Sequence, residues 1–346
     1  MKRAIEIARR GAGLVSPNPM VGAVLVKDGE VVGWGYHRWD RLKHAESYAI
    51  EMAGDRAQGA TLYCSLEPCC HFGRTAPCTD SVIAAGITRT VIAVKDPNPL
   101  VNGRGIELLR SAGIEVVAGL CEEEAVRLNE WYFKFITGKG PFVHGIIEYP
   151  ALEVGTNWHP SSSFVSAASE YDALILGSRI ELNRALIAAG LNRERHRAMV
   201  LVGRADDRDS YCDLLTGENQ GRISFIQLSG ETVLRVVDSA GQVPDSATEG
   251  NDHQIDFDKT LGRLDEAGLI SVLVAPGVFD PSLPGNFEML DKLTLAVPAS
   301  ASGDGMEVTG DRLAFADMEF DLEQVVSWEA EGYTEFTGYP QLRGVA

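Results

Sequence analysis

A chain of 346 residues, 45% of them hydrophobic, is long enough for two domains with separate cores. Its formal net charge of −18 offers no basic face for phosphate backbones, which argues against general nucleic-acid binding, although one Arg or Lys in a pocket could still hold one phosphate. No uninterrupted apolar run approaches the ~20 residues of a membrane span, so no membrane partner is expected. The acidity reads mainly as solubility, with runs such as Glu122-Glu123-Glu124 on solvated faces.

In chain order, 2–13 reads as an amphipathic helix, not as the apolar core of a signal peptide. Strands are predicted over 21–27 and 31–36, joined by a hairpin turn at Asp28-Gly29-Glu30. A helix over 44–53 carries His44 and Glu46 in its first turn. A strand over 61–65 runs into a loop at Pro68-Cys69, and 78–85 begins the next helix. A strand at 90–94, a helix at 105–112, a short strand at 115–117 and a helical stretch over 122–136 follow. Such alternation argues for an α/β fold with a largely parallel portion. The segment Thr137-Gly138-Lys139-Gly140-Pro141 marks a boundary between domains 1–138 and 141–346. Beyond it, 171–177, 270–275 and 289–298 look like buried strands, and 239–258 like an exposed loop.

Chemistry concentrates in a split cluster of His44-Ala45-Glu46, Pro68-Cys69 and Cys78. Singly, His44 reads as a surface helix histidine and the cysteines as small buried hydrophobes. Together, one imidazole and two thiolates fill three corners of a tetrahedral zinc site and leave the fourth for water, the pattern of a catalytic zinc. Helix N-termini suit such ligands, because the positive end of the dipole favours thiolate over thiol. Glu46 stands two residues from His44, placed to move protons without binding metal. This is the His-x-Glu…Pro-Cys…Cys grammar of zinc deaminases acting on nucleobases. Of the six cysteines, Cys64 and Cys121 read as core thiols and Cys212 as incidental. An oxidising compartment would threaten a thiolate site, so the cytoplasm is expected.

The insert between the two ligand cysteines reads Cys70-His71-Phe72-Gly73-Arg74-Thr75-Ala76-Pro77. With Ser16-Pro17-Asn18-Pro19-Met20-Val21-Gly22 and the run from Asp96-Pro97-Asn98-Pro99 to Gly105, it resembles the deaminase half of the riboflavin-biosynthesis deaminase/reductase family. The resemblance implies a cytidine-deaminase-like three-layer α/β/α domain followed by a dihydrofolate-reductase-like α/β domain. It implies one Zn2+ per chain on His44, Cys69 and Cys78, with Cys70 outside the ligand set, and Glu46 as proton shuttle while zinc-bound water attacks an amino-bearing ring carbon. Asn18, His37, His71, Arg74, Asp96 and Asn98 match family positions lining the substrate site. Arg74 suits a phosphate, its alternative being an exposed loop cation; Asp96 and Asn98 could instead simply form the Asp-Pro-Asn-Pro turn.

The second domain keeps the family's outline but not its working residues. Where the family has a Lys and a Ser-Leu-Asp-Gly turn, this chain has His144 through Leu152; the Thr-x-x-x-Asp-Asp-Pro element reads Ser178 through Ala185. A Gly-Gly-Pro-Thr turn becomes Ala275-Pro276-Gly277-Val278. Proline there removes a backbone donor and the close approach glycine permits. No NADPH use is therefore expected, and the domain reads as a scaffold, one that supports a homodimer. The implied substrate is 2,5-diamino-6-ribosylamino-4(3H)-pyrimidinone 5′-phosphate. A paralogue acting on another aminopyrimidine or a guanidine-like compound is the second reading, a non-catalytic assembly subunit the third.

Overall fold

The computed structural model describes residues 1–40, 43–73, 75–148, 167–176, 180–191, 199–204, 211, 222–228, 235–236, 257–275, 278, 289–298, 306–309, 312–315, 318–330 and 333–340. Contacts divide the chain into two compact units, Met1–Lys139 and Gly140–Ala346. No helix among the described residues is long and apolar enough to cross a membrane.

The first unit runs α1 (Lys2–Ala8), β1 (Gly22–Lys27), β2 (Glu30–Tyr36), α2 (Ala45–Ala53), β3 (Thr61–Cys64), α3 (Cys78–Ala84), β4 (Arg89–Ile92), α4 (Arg104–Ser111), β5 (Glu115–Ala118), α5 (Glu122–Leu128) and α6 (Glu130–Ile136). Its sheet has the order β2-β1-β3-β4-β5. β1 pairs antiparallel with β2 and β3, while β3, β4 and β5 are parallel. The hairpin turn places Asp28 and Gly29 at φ 50° and 80°, the paired positive dihedrals whose twist suits a two-residue hairpin. Side chains alternate across the sheet. Ala23, Leu25 and Leu62 pack with Ala45, Ala49 and Ala53 of α2, Val82 of α3 and Leu109 of α4. On the other face Val24 meets Ala4 and Ile7 of α1. Ile5 and Ala8 of α1 join Ala125, Leu128 and Tyr132 of α5 and α6 over Leu66, Ala93 and Val94. The result is a helix–sheet–helix sandwich.

Two helices lie on this sheet with no room for side chains between. A Cβ on Gly22 would sit 2.1 Å from the Ala4 carbonyl of α1. A Cβ on Gly33 would sit 2.1 Å from the Ala49 carbonyl of α2, and one on Gly35 2.5 Å from the Ala45 carbonyl. Glycine at these positions sets how deep each helix sits.

Two helices of the first unit differ from the sequence reading. The helix expected over 2–13 ends as α1 at Ala8 and continues as a 3-10 turn over Arg9–Gly11. The stretch 122–136 is two helices, broken at Asn129 (φ −122°, ψ 28°). Asn129 is fully buried, and its side chain is taken by a distant backbone: its oxygen accepts the Met20 N–H and its amide donates to the Met20 carbonyl, both at 2.8 Å.

The second unit contains β6 (Phe142–Glu148), β7 (Ala173–Ile175), α7 (Ile180–Leu191), β8 (Met199–Arg204), β9 (Ile223–Leu228), β10 (Arg235–Val236), α8 (Phe257–Glu266), β11 (Ser271–Val274), β12 (Lys292–Pro298), β13 (Met306–Thr309), β14 (Arg312–Phe315), β15 (Met318–Ala330) and β16 (Tyr333–Pro340). Its sheet order is β10-β9-β8-β7-β11-β6-β12-β16-β15-β14-β13. The run from β9 to β12 is parallel, and β12 to β13 antiparallel. β11 is buried throughout, as a central parallel strand covered on both faces must be. Asp172, 2% exposed, accepts the Ile270 N–H at 3.0 Å and so ties the start of β7 to that of β11.

The strands expected over 171–177, 270–275 and 289–298 are shorter here, at Ala173–Ile175, Ser271–Val274 and Lys292–Pro298. The loop expected over 239–258 lies outside the described residues up to 256, and 257–258 begin α8. The sequence reading names no element after 298. The alternation Met318-Glu319-Phe320-Asp321-Leu322-Glu323 is a period-two strand signal it passes over.

Gly33→Ala should destabilise the first unit by about 1–3 kcal/mol or more, as overpacking against backbone does. Gly262→Ala, where an added Cβ meets nothing within 4 Å, should be neutral or slightly stabilising. Urea unfolding of the two variants beside the parent checks both.

Candidate active site

α2 begins immediately after His44, whose extended backbone (φ −81°, ψ 168°) makes it the N-cap. Cys78 is the first residue of α3. Cys69 lies in the loop after β3 and not at a helix end, unlike the other two. The ligand atoms of His44, Cys69 and Cys78 all lie within 4.8 Å of one another. His44 Nδ1 is 3.1 Å from Cys78 Sγ and 3.4 Å from Cys69 Sγ, and the Cys78 N–H donates to Cys69 Sγ at 3.3 Å.

The sulfurs share their protons unequally. Cys69 is held down to about 4, first because the Cys78 thiol donates to it and next because His44 faces it. Cys78 is pushed up, chiefly because it keeps the proton of that pair. His44 is raised by its bond to Cys69. One imidazole nitrogen and two sulfurs converging on one point form a donor set that zinc accepts, so these residues fit the metal.

Glu46, in the first turn of α2, is 3% exposed, and its Oε2 has no hydrogen-bond partner. Burial pushes its carboxyl above the usual range. A buried carboxylate oxygen without a partner is costly unless something polar comes to it. It lines a cavity of about 240 Å3 together with His44 and Cys69.

Asn18, His37, His71, Asp96 and Asn98 line the same cavity. Arg74 lies outside the described residues. The His37 ring stands edge-on to that of His44 at 5.4 Å between centroids. Asp96 accepts the Asn98 N–H at 2.9 Å, and Asn98 Oδ1 accepts the Leu100 N–H at 3.0 Å. These side chains therefore build the turn and face the cavity at once. Burial raises the Asp96 carboxyl.

The other cysteines stand apart. Cys70 donates to the Leu100 carbonyl at 3.7 Å and is outside the trio. Cys64 is fully buried in β3, and burial keeps it a thiol. Cys121, expected in the core, is partly buried at φ 61° before α5 and packs against the edge of a core cluster of the first unit. Cys212 lies outside the described residues.

Sequence reasoning missed Trp39, Lys43, Glu67, Thr75 and Tyr132 on the cavity wall. Glu67 was within reach, since it directly precedes Pro68-Cys69. Its carboxylate, 3% exposed, accepts the backbone N–H of Asp96 at 3.2 Å, Gly103 at 2.9 Å and Ile106 at 3.1 Å. One side chain thus ties the Cys69 loop to the Asp96 loop and the start of α4. Gly105 permits the approach, for a Cβ there would meet the Pro68 carbonyl at 2.3 Å. Tyr132 carries no local signal, lying 36 residues from the Asp96 it touches.

Residues 1–94 match the model of the cytidine and deoxycytidylate deaminase zinc-binding region. The riboflavin biosynthesis protein RibD of Aquifex aeolicus is 55% identical over 143 residues, which is 41% of this chain and 40% of that protein. The chloroplastic riboflavin biosynthesis protein PYRD of Zea mays is 35% identical over 360 aligned residues, 98% of this chain and 87% of that one. The crystal structure of a diaminohydroxyphosphoribosylaminopyrimidine deaminase/5-amino-6-(5-phosphoribosylamino)uracil reductase from Thermotoga maritima superposes with a TM-score of 0.72 at 29% identity, covering 99% of this chain and 97% of that one. The sandwich, the His-Cys-Cys trio and these likenesses define a zinc-dependent deaminase of the cytidine-deaminase type. Within that class, the full-length match places the chain in the RibD/PYRD family of riboflavin-biosynthesis proteins.

Metal analysis of the purified protein should find about one zinc per chain. Cys78→Ser should lose most of it, because a hydroxyl replaces a thiolate poorly; full zinc content in that variant would remove Cys78 from the ligand set.

Proposed function

We propose that the first unit hydrolytically deaminates 2,5-diamino-6-ribosylamino-4(3H)-pyrimidinone 5′-phosphate, releasing ammonia and leaving a ring carbonyl. The observation that carries the reading is the unpartnered, buried Oε2 of Glu46 on a cavity that also holds His44 and Cys69. His44, Cys69 and Cys78 would hold zinc, which when bound supplies Lewis acidity and brings the ionisation of water toward neutral pH.

Glu46 moves the protons. Its carboxyl, raised by burial, takes a proton from water, gives it to a ring nitrogen and helps the amine leave as ammonia. Asn18 and Asn98 offer amides, and His37 and His71 ring nitrogens, to the edges of a heterocycle. Arg74 is carried over from the family as a phosphate ligand. Lys43 is a second candidate: it lines the cavity, and its ion pair with Glu51 at 2.8 Å, both partners about half exposed, is the kind a phosphate displaces easily. Ammonia release from this compound with and without its phosphate tests the assignment, and none from either would sink it. Glu46→Gln should keep zinc and lose ~10²–10⁴-fold in turnover.

For the second unit we propose a scaffold without NADPH reduction. His144, on the strand where the family carries its lysine, is 6% exposed and has both ring nitrogens engaged, Nδ1 with the Tyr171 hydroxyl at 2.5 Å and Nε2 with Thr294 Oγ1 at 2.8 Å. Burial holds it well below the usual histidine range, a neutral ring committed to its neighbours. Pro150, Leu152, Ser178, Pro276 and Gly277 lie outside the described residues. A homodimer and a cytoplasmic setting belong to the same proposal. Titration followed by NADPH fluorescence should give no saturable binding in the micromolar range, and no oxidation when the deaminated product is added.

A further inference from the structure

No motif marks α6, the last helix of the first unit, yet the chain there reaches two sides of the cavity. Asn129, just before α6, grips Met20, two residues beyond Asn18. Tyr132 follows three residues later, as the third residue of α6. It is 5% exposed, lines the cavity, and donates its hydroxyl hydrogen to Asp96, 3.1 Å from Oδ1 and 3.4 Å from Oδ2.

The two Asp96 oxygens are used unequally. Oδ1 accepts both the Asn98 N–H and the Tyr132 hydroxyl. Oδ2 takes only the longer Tyr132 contact among the described residues, although a carboxylate oxygen has room for two donors. An ionised carboxylate accepts and cannot donate. From a ligand in the cavity that Asp96 lines, Oδ2 can therefore receive only a donor hydrogen; on the edge of a heterocycle that is an N–H, from an exocyclic amine or a ring nitrogen that carries hydrogen, and a carbonyl edge would be repelled.

We propose that Tyr132 is a positioning residue for substrate recognition: its hydroxyl fixes the Asp96 carboxylate so that Oδ2 receives an N–H of the amino-heterocycle. This deepens the deaminase reading and rests on it. The hydroxyl is the working part, since the ring already packs among Leu66, Ala93 and Val94 and a phenylalanine would keep that packing. Burial raises the Asp96 carboxyl, opposed first by the Asn98 N–H and then by the Tyr132 donor. The tyrosine itself is pushed up by burial and then by Asp96, so it stays a donor.

The test is a cycle of Tyr132→Phe, Asp96→Asn and both, built in zinc-loaded Glu46→Gln protein, with calorimetric titration of 2,5-diamino-6-ribosylamino-4(3H)-pyrimidinone 5′-phosphate. Tyr132→Phe alone should raise Kd about tenfold. Added to Asp96→Asn it should change Kd less than about twofold, because a residue acting through another is silent once that other is gone. In otherwise wild-type protein, Tyr132→Phe should raise KM about tenfold and leave kcat within about twofold. Additive effects, or an unchanged Kd while wild type releases ammonia, would overturn the role alone. No ammonia release by wild type from this compound would overturn the substrate assignment and this role with it.

Discussion

The site depends on backbone meeting backbone between β2 and α2. Gly33 and Gly35 admit the Ala49 and Ala45 carbonyls where a methyl group could not fit. α2 is short and carries alanine on its inner face, so it has little else to fix its height. That height sets where His44 and Glu46 stand relative to Cys69 and Cys78, which come from other segments. Interiors are packed too densely for such a helix to ride up without moving its ligands. The glycines of β2 carry no chemistry, yet the depth of α2 depends on them.

Glu67 does the same work for loops. Loops bring no ladder of their own, so their backbone donors must find partners elsewhere. Here three donors from the Asp96 loop and the start of α4 converge on one buried carboxylate adjacent to the Cys69 loop. Charge-assisted bonds of this kind are stronger than neutral ones and hold more than one segment at once. The metal-binding and substrate-facing loops are thus one assembly, joined through a side chain that touches neither the trio nor, in this reading, the reacting atoms.

Legibility in the sequence followed the range of the interactions. The zinc trio, Glu46 and the strand–helix alternation up to 118 could be read because each rests on residues close in sequence or on a motif with fixed spacing. The hairpin was readable from Asp28-Gly29 for the same reason. Tyr132 and Asn129 were not, since their meaning lies in partners 36 and 109 residues away. The break at Asn129 is tertiary, as helix periodicity continues across it. In the second unit the buried strands were visible as apolar runs but their ends were not, because burial runs past the hydrogen-bonded residues, as at Leu176, Ile270, Ala275 and Leu290. β15 had a signal in the alternation Met318-Glu319-Phe320-Asp321-Leu322-Glu323.

The grip of Asn129 on Met20 has a consequence for the order in which the unit is made. Contacts across 109 residues close late, and chains leave the ribosome N-terminus first. The trio is complete once Cys78 has emerged, but the cavity wall is not complete until α6 has followed. Between those moments a nascent chain owns all its metal ligands while Met20 still lacks Asn129 and Asp96 its Tyr132 donor. The ligand trio is therefore complete on the emerging chain before the cavity wall is, and α6 is the element that completes that wall.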